Sequence, residues 1–129
     1  MEKKVNDCLS SELELFPKRS YTASKIQITI SKNGVILLSS GCMCNYFNRN
    51  GCRYVLLYVN KNKQLIGIEP SQEKNKLTYS VQVNTPSRTG YIYARSILHY
   101  IGVDYRKGAQ TYIPVWDEKQ KRLIIQINS

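Results

Sequence analysis

The sequence is short of the residues that most catalytic sites use. Among 129 residues it has one histidine, His99, and only nine Asp plus Glu. It contains no G-x-S-x-G, no phosphate-binding glycine loop and no H-E-x-x-H. The adjacent acids Asp117-Glu118 sit between two apolar runs and read as turn chemistry. His99, between Leu98 and Tyr100, reads as a structural or surface residue, because Cys–His catalysis needs a third, orienting group that nothing here nominates. We therefore expect no enzyme.

Long apolar runs are also missing. None approaches the roughly 20 residues of a membrane span, and MEKKVNDCLSSELELF lacks the apolar core of a signal peptide. We expect a cytoplasmic location, reduced thiols and no membrane partner. The four cysteines, at positions 8, 42, 44 and 52, lack zinc-site spacing. Cys42-Met43-Cys44 with one later cysteine has no second knuckle, and His99 is remote in sequence. Free thiols in a partly buried turn are expected, with no metal and no cofactor.

What is abundant is positive charge. Nineteen Lys plus Arg give a formal charge of +10. The excess runs along the whole chain rather than in a tail. It favours an anionic partner, either nucleic acid or an acidic protein. The length suits one domain, or two small halves sharing a core, without a need for staples.

Residues 1–24 read as an N-terminal extension, in which Ser10 or Ser11 could cap a short helix around Leu13, Leu15 and Phe16, stopped by Pro17. Residues 25–70 read as a first ββαββ half. Ile26, Ile28 and Ile30 alternate with polar residues, the period of a half-buried strand. Asn33-Gly34 predicts a type I′ hairpin turn. Val35–Leu38 returns as a continuously apolar strand with both faces covered. Ser39 or Ser40 caps a short helix ending near Asn48, and two strands follow around the polar turn 60–63. Gly67 marks a bulge or a close backbone contact.

Residues 71–77 form a polar linker, and residues 78–129 repeat the plan. Tyr79–Val83 and Tyr91–Tyr93 are strands, and Ala94–Ile101 is a helix stopped by Gly102. Thr111–Trp116 is a strand in which Pro114 demands an edge or a bulge. Leu123, Ile125 and Ile127 alternate in the last strand.

Laid over each other, the halves match Gly34 with Gly90, SSGCMCNYF with ARSILHYIG, and RYVLLYVNKNKQLIGI with TYIPVWDEKQKRLIIQI. A ββαββ unit leaves one sheet face uncovered, and two copies can cover each other about a pseudo-two-fold axis. ITISKNGVILLSS followed by YVLLYVNKNKQLIGIEP resembles the AbrB-like swapped-hairpin barrel of bacterial and archaeal transition-state regulators and antitoxins. The second half is also similar to uncharacterised small prophage-type bacterial proteins in its G-Y-I-x-A-R-S-x-L line. The resemblance covers residues 25–127. It implies a mainly β (α+β) fold, two tandem halves closing an AbrB-like or double-psi-like barrel. It also implies a DNA-binding regulator acting in transcription, as a monomer with pseudo-two-fold symmetry or as a homodimer. In the family an arginine follows the strand-opening glycine and contacts DNA; here Val35 and Tyr91 stand there.

Tyrosines interleave with Arg49, Arg53, Arg88, Arg95, Arg106 and Lys107, and arginine with tyrosine suits phosphate contact and base stacking. We expect a small basic nucleic-acid-binding protein, preferring DNA to RNA. Lys25, Lys32, Arg49, Arg53, Arg88 and Arg95 are the expected contacts, the four arginines reading bases. The alternative expectation is a phage or mobile-element interaction module that inhibits a host defence nuclease complex, in the manner of an anti-CRISPR protein.

Overall fold

The computed structural model describes residues 25–48 and 51–127. The expected helix around Leu13, Leu15 and Phe16, and the expected contact Arg49, lie outside them. In chain order the elements are β1 (Ile28–Ile30), β2 (Val35–Leu38) and α1 (Ser40–Cys42), continued by a π-helical turn, Met43–Phe47. Then come β3 (Tyr54–Asn60), β4 (Leu65–Ser71), β5 (Tyr79–Ser80), β6 (Gln82–Asn84) and β7 (Thr89–Tyr93). Last are α2 (Arg95–Ile101), a 3₁₀ turn at Tyr105–Lys107, β8 (Gln110–Tyr112), β9 (Val115–Asp117) and β10 (Arg122–Gln126).

The fold is mainly β. Two antiparallel five-stranded sheets run β6-β7-β2-β1-β8 and β5-β3-β4-β10-β9. No closed barrel forms among the described residues. Each sheet draws on both sides of residues 72–78. At its centre β2 pairs with β7, Ile36 opposite Ile92, and β4 pairs with β10, Ile68 opposite Leu123. The inward residues of both sheets and both helices make one core that includes Ile28, Ile36, Ile66, Ile92, Leu98 and Leu123. Each such side chain contributes about 1.5–3 kcal/mol of burial.

Local chemistry explains most of the elements. Ile28 and Ile30 of β1 are buried as their alternation requires. Ser39 caps α1: its Oγ accepts the Cys42 N–H at 3.3 Å and the Gln27 N–H at 2.9 Å. Gly102 ends α2 at φ +81, and its N–H donates to His99 O while Val103 N–H donates to Leu98 O. That pair of bonds is a Schellman cap. Asp117 Oδ1 accepts the Lys119 and Gln120 N–H groups, which closes the last turn.

Four expectations are corrected. The continuously apolar β2 is covered on one face only, because Leu37 points outward and is 37% exposed. The expected strands 79–83 and 111–116 each break in two, and each leaves one sheet for the other. Pro114, which has no N–H to give a ladder, sits at the second break, between the edge strands β8 and β9. The turn at Asn33-Gly34 is not type I′, since only Gly34 has positive φ; its N–H donates to Ser31 O at 3.0 Å. Lastly, Gly34 and Gly90 do not correspond. Gly34 is a turn residue, whereas Gly90 lies within β7, where a Cβ would stand 2.6 Å from Met43 Sδ.

Three other residues hold the turn position of Gly34: Gln64, Arg88 and Lys121. All four hairpins have four-residue connections, 31–34, 61–64, 85–88 and 118–121. Each ends in a left-handed residue just before the returning strand: Gly34, then Gln64 at φ 57, Arg88 at φ 61 and Lys121 at φ 57. A side chain in that region costs roughly 1–2 kcal/mol. Gln64 offsets the cost, because its Nε2 donates to Ile101 O at the end of α2, at 2.8 Å. Lys121 has only an exposed ion pair with Glu118, and exposed pairs contribute little. Lys121→Gly is therefore expected to stabilise the fold by about 0.5–1 kcal/mol in chemical denaturation, whereas Gln64→Gly should give no gain.

Candidate nucleic-acid interface

Of the expected contact residues, the fold brings Lys32 and Arg95 together. Lys32 sits in the β1–β2 turn, and Arg95 opens α2 directly after β7. Because β7 runs antiparallel to β2, Val35 opposite Tyr93, the start of α2 lands beside that turn. Arg95 Nε donates to Asn33 O at 3.0 Å. Its stem lies over Gly34, where a Cβ would come within 2.6 Å of Arg95 Cγ and 3.0 Å of the Tyr105 ring. Gly34 thus supplies both a positive φ and empty space.

Arg106 completes the group. The Schellman cap at Gly102 reverses the chain, and the 3₁₀ turn Tyr105–Lys107 comes back over Gly34. Tyr105 is buried, 5% exposed, and its hydroxyl shares a hydrogen bond with His99 Nε2 at 2.9 Å. Lys32, Asn33, Arg95, His99, Tyr105 and Arg106 line one cleft of about 340 Å³. On its flank, Asn33, Val35, Tyr93, Arg95 and Ser96 line a second, more open depression of about 840 Å³. Tyr93 is 65% exposed there, and its ring stands perpendicular to that of Tyr91 with 5.8 Å between centres.

The other expected contacts lie elsewhere. Ser39 Oγ donates to Lys25 O at 2.9 Å, which places Lys25 at the far end of β1 from Lys32, on the order of 20 Å away. Gly90 opposite Leu38 puts Arg88 at that same far end. Arg53 lies just before β3 in the other sheet, its carbonyl accepting the Val81 N–H at 2.9 Å. The expected six contacts therefore do not form one patch. Arg106 was visible in sequence as a basic residue among tyrosines, but its meeting with Lys32 depends on the Gly102 reversal.

The cleft is unbalanced electrostatically. β1, β2, β6, β7, β8, α1 and α2 contain no Asp or Glu. The described carboxylates are Glu69, Glu73, Asp117 and Glu118, in or beside β4 and β9, together with Asp104. Asp104 pairs with Lys107 at 3.8 Å. Among the described residues, no carboxylate pairs with Lys32, Arg95 or Arg106. Other cations are partly engaged: Arg122 lies over the Tyr58 ring at 4.4 Å and Lys61 over Tyr100 at 5.3 Å.

No family model, curated protein or solved structure matches the chain. The cleft is read from its own chemistry: cations with no carboxylate partner among the described residues, a buried aromatic wall and an exposed aromatic beside it.

The remaining candidates are weaker. A depression of about 580 Å³ beneath the loop after α2 carries Asp104 and no basic side chain. Burial raises the Cys42 and Cys52 thiols above their ordinary pKa, and the Cys42 thiol donates to Gln27 O at 3.4 Å. Both facts make these poor nucleophiles. Among the described residues, no three His, Cys, Asp or Glu gather as a metal site, and no helix is long and apolar enough to cross a membrane.

Proposed function

We propose that the chain is a small basic nucleic-acid-binding protein, a DNA-binding regulator or antitoxin-like module rather than an enzyme. On this reading it is a doubled AbrB-like unit, and the recurrence of hairpin, helix and hairpin with the same four-residue turns supports the doubling. The observation that carries the function is the convergence of Lys32, Arg95 and Arg106 on one cleft whose lining, among the described residues, includes no carboxylate. Arginine offers paired donors to phosphate oxygens, and lysine adds a point charge.

A gel-shift titration at two salt concentrations tests it. Three phosphate contacts on a duplex give a log–log slope of about −2.7, so a fourfold rise in salt should weaken binding roughly 40-fold. Lys32→Ala and Arg106→Ala together should reduce the slope by about two. Duplex affinity unchanged in that double variant would remove the cleft from the interface.

The protein-contact alternative has one observation of its own. Ile113 and Val115, either side of Pro114, are 77% and 67% exposed. Failure to bind any nucleic acid would shift the reading to that surface.

A further inference from the structure

The geometry points to the cleft as a receptor for the terminal phosphate of a nucleic-acid strand, with the adjoining base stacked on Tyr93. This deepens the nucleic-acid reading and rests on it. Three cations come from three separate segments, the β1–β2 turn, the start of α2 and the 3₁₀ turn, onto a cleft of about 340 Å³. A phosphodiester in a continuous backbone carries one negative charge. A terminal phosphomonoester carries about −1.5 to −2 at neutral pH and presents three acceptor oxygens. The second matches a concave group of three cations better than the first does. Tracking a continuous backbone calls for a groove of spaced charges. Here two of the other expected contacts, Lys25 and Arg88, lie at the opposite end of the sheet instead of extending the cleft, and Arg53 lies in the other sheet's margin.

The cleft is also held in place. Arg95 is anchored through Nε to Asn33 O, and its terminal Nη groups make no hydrogen bond among the described residues. Tyr105, packed on Gly34 and bonded to His99, forms a wall that does not need to move. Fixed donors lose little freedom on binding.

Arg95 borders both depressions, and Tyr93 lines the second. Tyr93 is 65% exposed and stands perpendicular to Tyr91, so its exposed surface is open to a base next to the bound phosphate. Base–aromatic stacking of this kind is indifferent to sequence.

The test uses the full chain with two single strands labelled at the 3′ end, one with a 5′-phosphate and one with a 5′-hydroxyl. The phosphorylated strand is expected to bind about tenfold tighter or more, the gain of one charged hydrogen-bonding group. Arg106→Ala, an exposed change, should bring the ratio close to one. Tyr93→Ala should weaken the phosphorylated strand about fivefold or more while keeping the preference. Equal affinity for the two strands overturns the terminal-phosphate site and leaves the general nucleic-acid reading standing. No binding of either strand or of duplex overturns both. Inorganic phosphate displacing the strand at the strand's own concentration, or a Tyr93→Ala chain that binds like the parent, overturns the base contact.

Discussion

Phe47→Ala is expected to cost about 3–5 kcal/mol of stability, the range for deleting a fully buried aromatic. Phe47 is 0% exposed and ends the π-helical turn that begins at Met43, itself 1% exposed. The turn delivers both side chains to the core between the sheets, and the chain leaves it through the bond from Cys52 N–H to Phe47 O at 2.9 Å. Removing the ring leaves a void that this short turn cannot close, because its backbone is tied on both sides: the Asn48 N–H donates to Met43 O. Domains of this size are stable by only about 5–15 kcal/mol, so the change removes a large share. Urea unfolding should show a lower midpoint at nearly unchanged slope. Phe47→Leu should lose less, about 1–2 kcal/mol, since most of the volume is kept. A loss below about 1 kcal/mol for the alanine variant would contradict the burial of this turn.

Elements decided by nearest-neighbour chemistry were legible in the sequence. The alternation of Ile26, Ile28 and Ile30, the Ser39 cap, the Gly102 stop and the Asp117 turn each depend on residues within a few positions. What the sequence hid depends on distant partners. Strands 79–83 and 111–116 read as single units because period-2 patterning does not record a change of sheet; Pro114 alone hinted at one. The left-handed positions of Gln64, Arg88 and Lys121 carry no glycine, so the match of Gly34 to Gly90 looked natural although the turn geometry groups Gly34 with these three. Leu37 is exposed because none of the described residues covers that face, which no local pattern states.

The candidate site divides the same way. Lys32 and Arg95 were nominated for lying near turns and helix starts, and they meet because β2 and β7 are antiparallel neighbours. Lys25, Arg53 and Arg88 met the same criterion and lie elsewhere. One sign of charge separation was available in the chain: no Asp or Glu occurs between Glu14 and Glu69. That gap covers β1, β2 and α1, as well as β3 of the other sheet, and the first three gain β6, β7 and α2, also free of acids, as neighbours.

Gly34→Ala tests fold and site together, and it is expected to cost about 2–5 kcal/mol. Left-handed backbone contributes roughly 1–2 kcal/mol of this, and crowding contributes a further 1–3 kcal/mol. The crowding is specific: the new Cβ would stand 2.6 Å from Arg95 Cγ and 3.0 Å from the Tyr105 ring. Arg95 is exposed and can yield; buried Tyr105, bonded to His99, cannot yield without opening the 3₁₀ turn. The Arg95 Nε bond to Asn33 O should therefore break first, releasing the guanidinium from the cleft. Binding and stability should then separate across a small series. Gly34→Ala should weaken both, Lys121→Gly should change only stability, and Arg106→Ala should change only binding. Nucleic-acid affinity that survives Gly34→Ala in full, in a chain shown to be folded, would mean that the anchored position of Arg95 is not what the ligand uses.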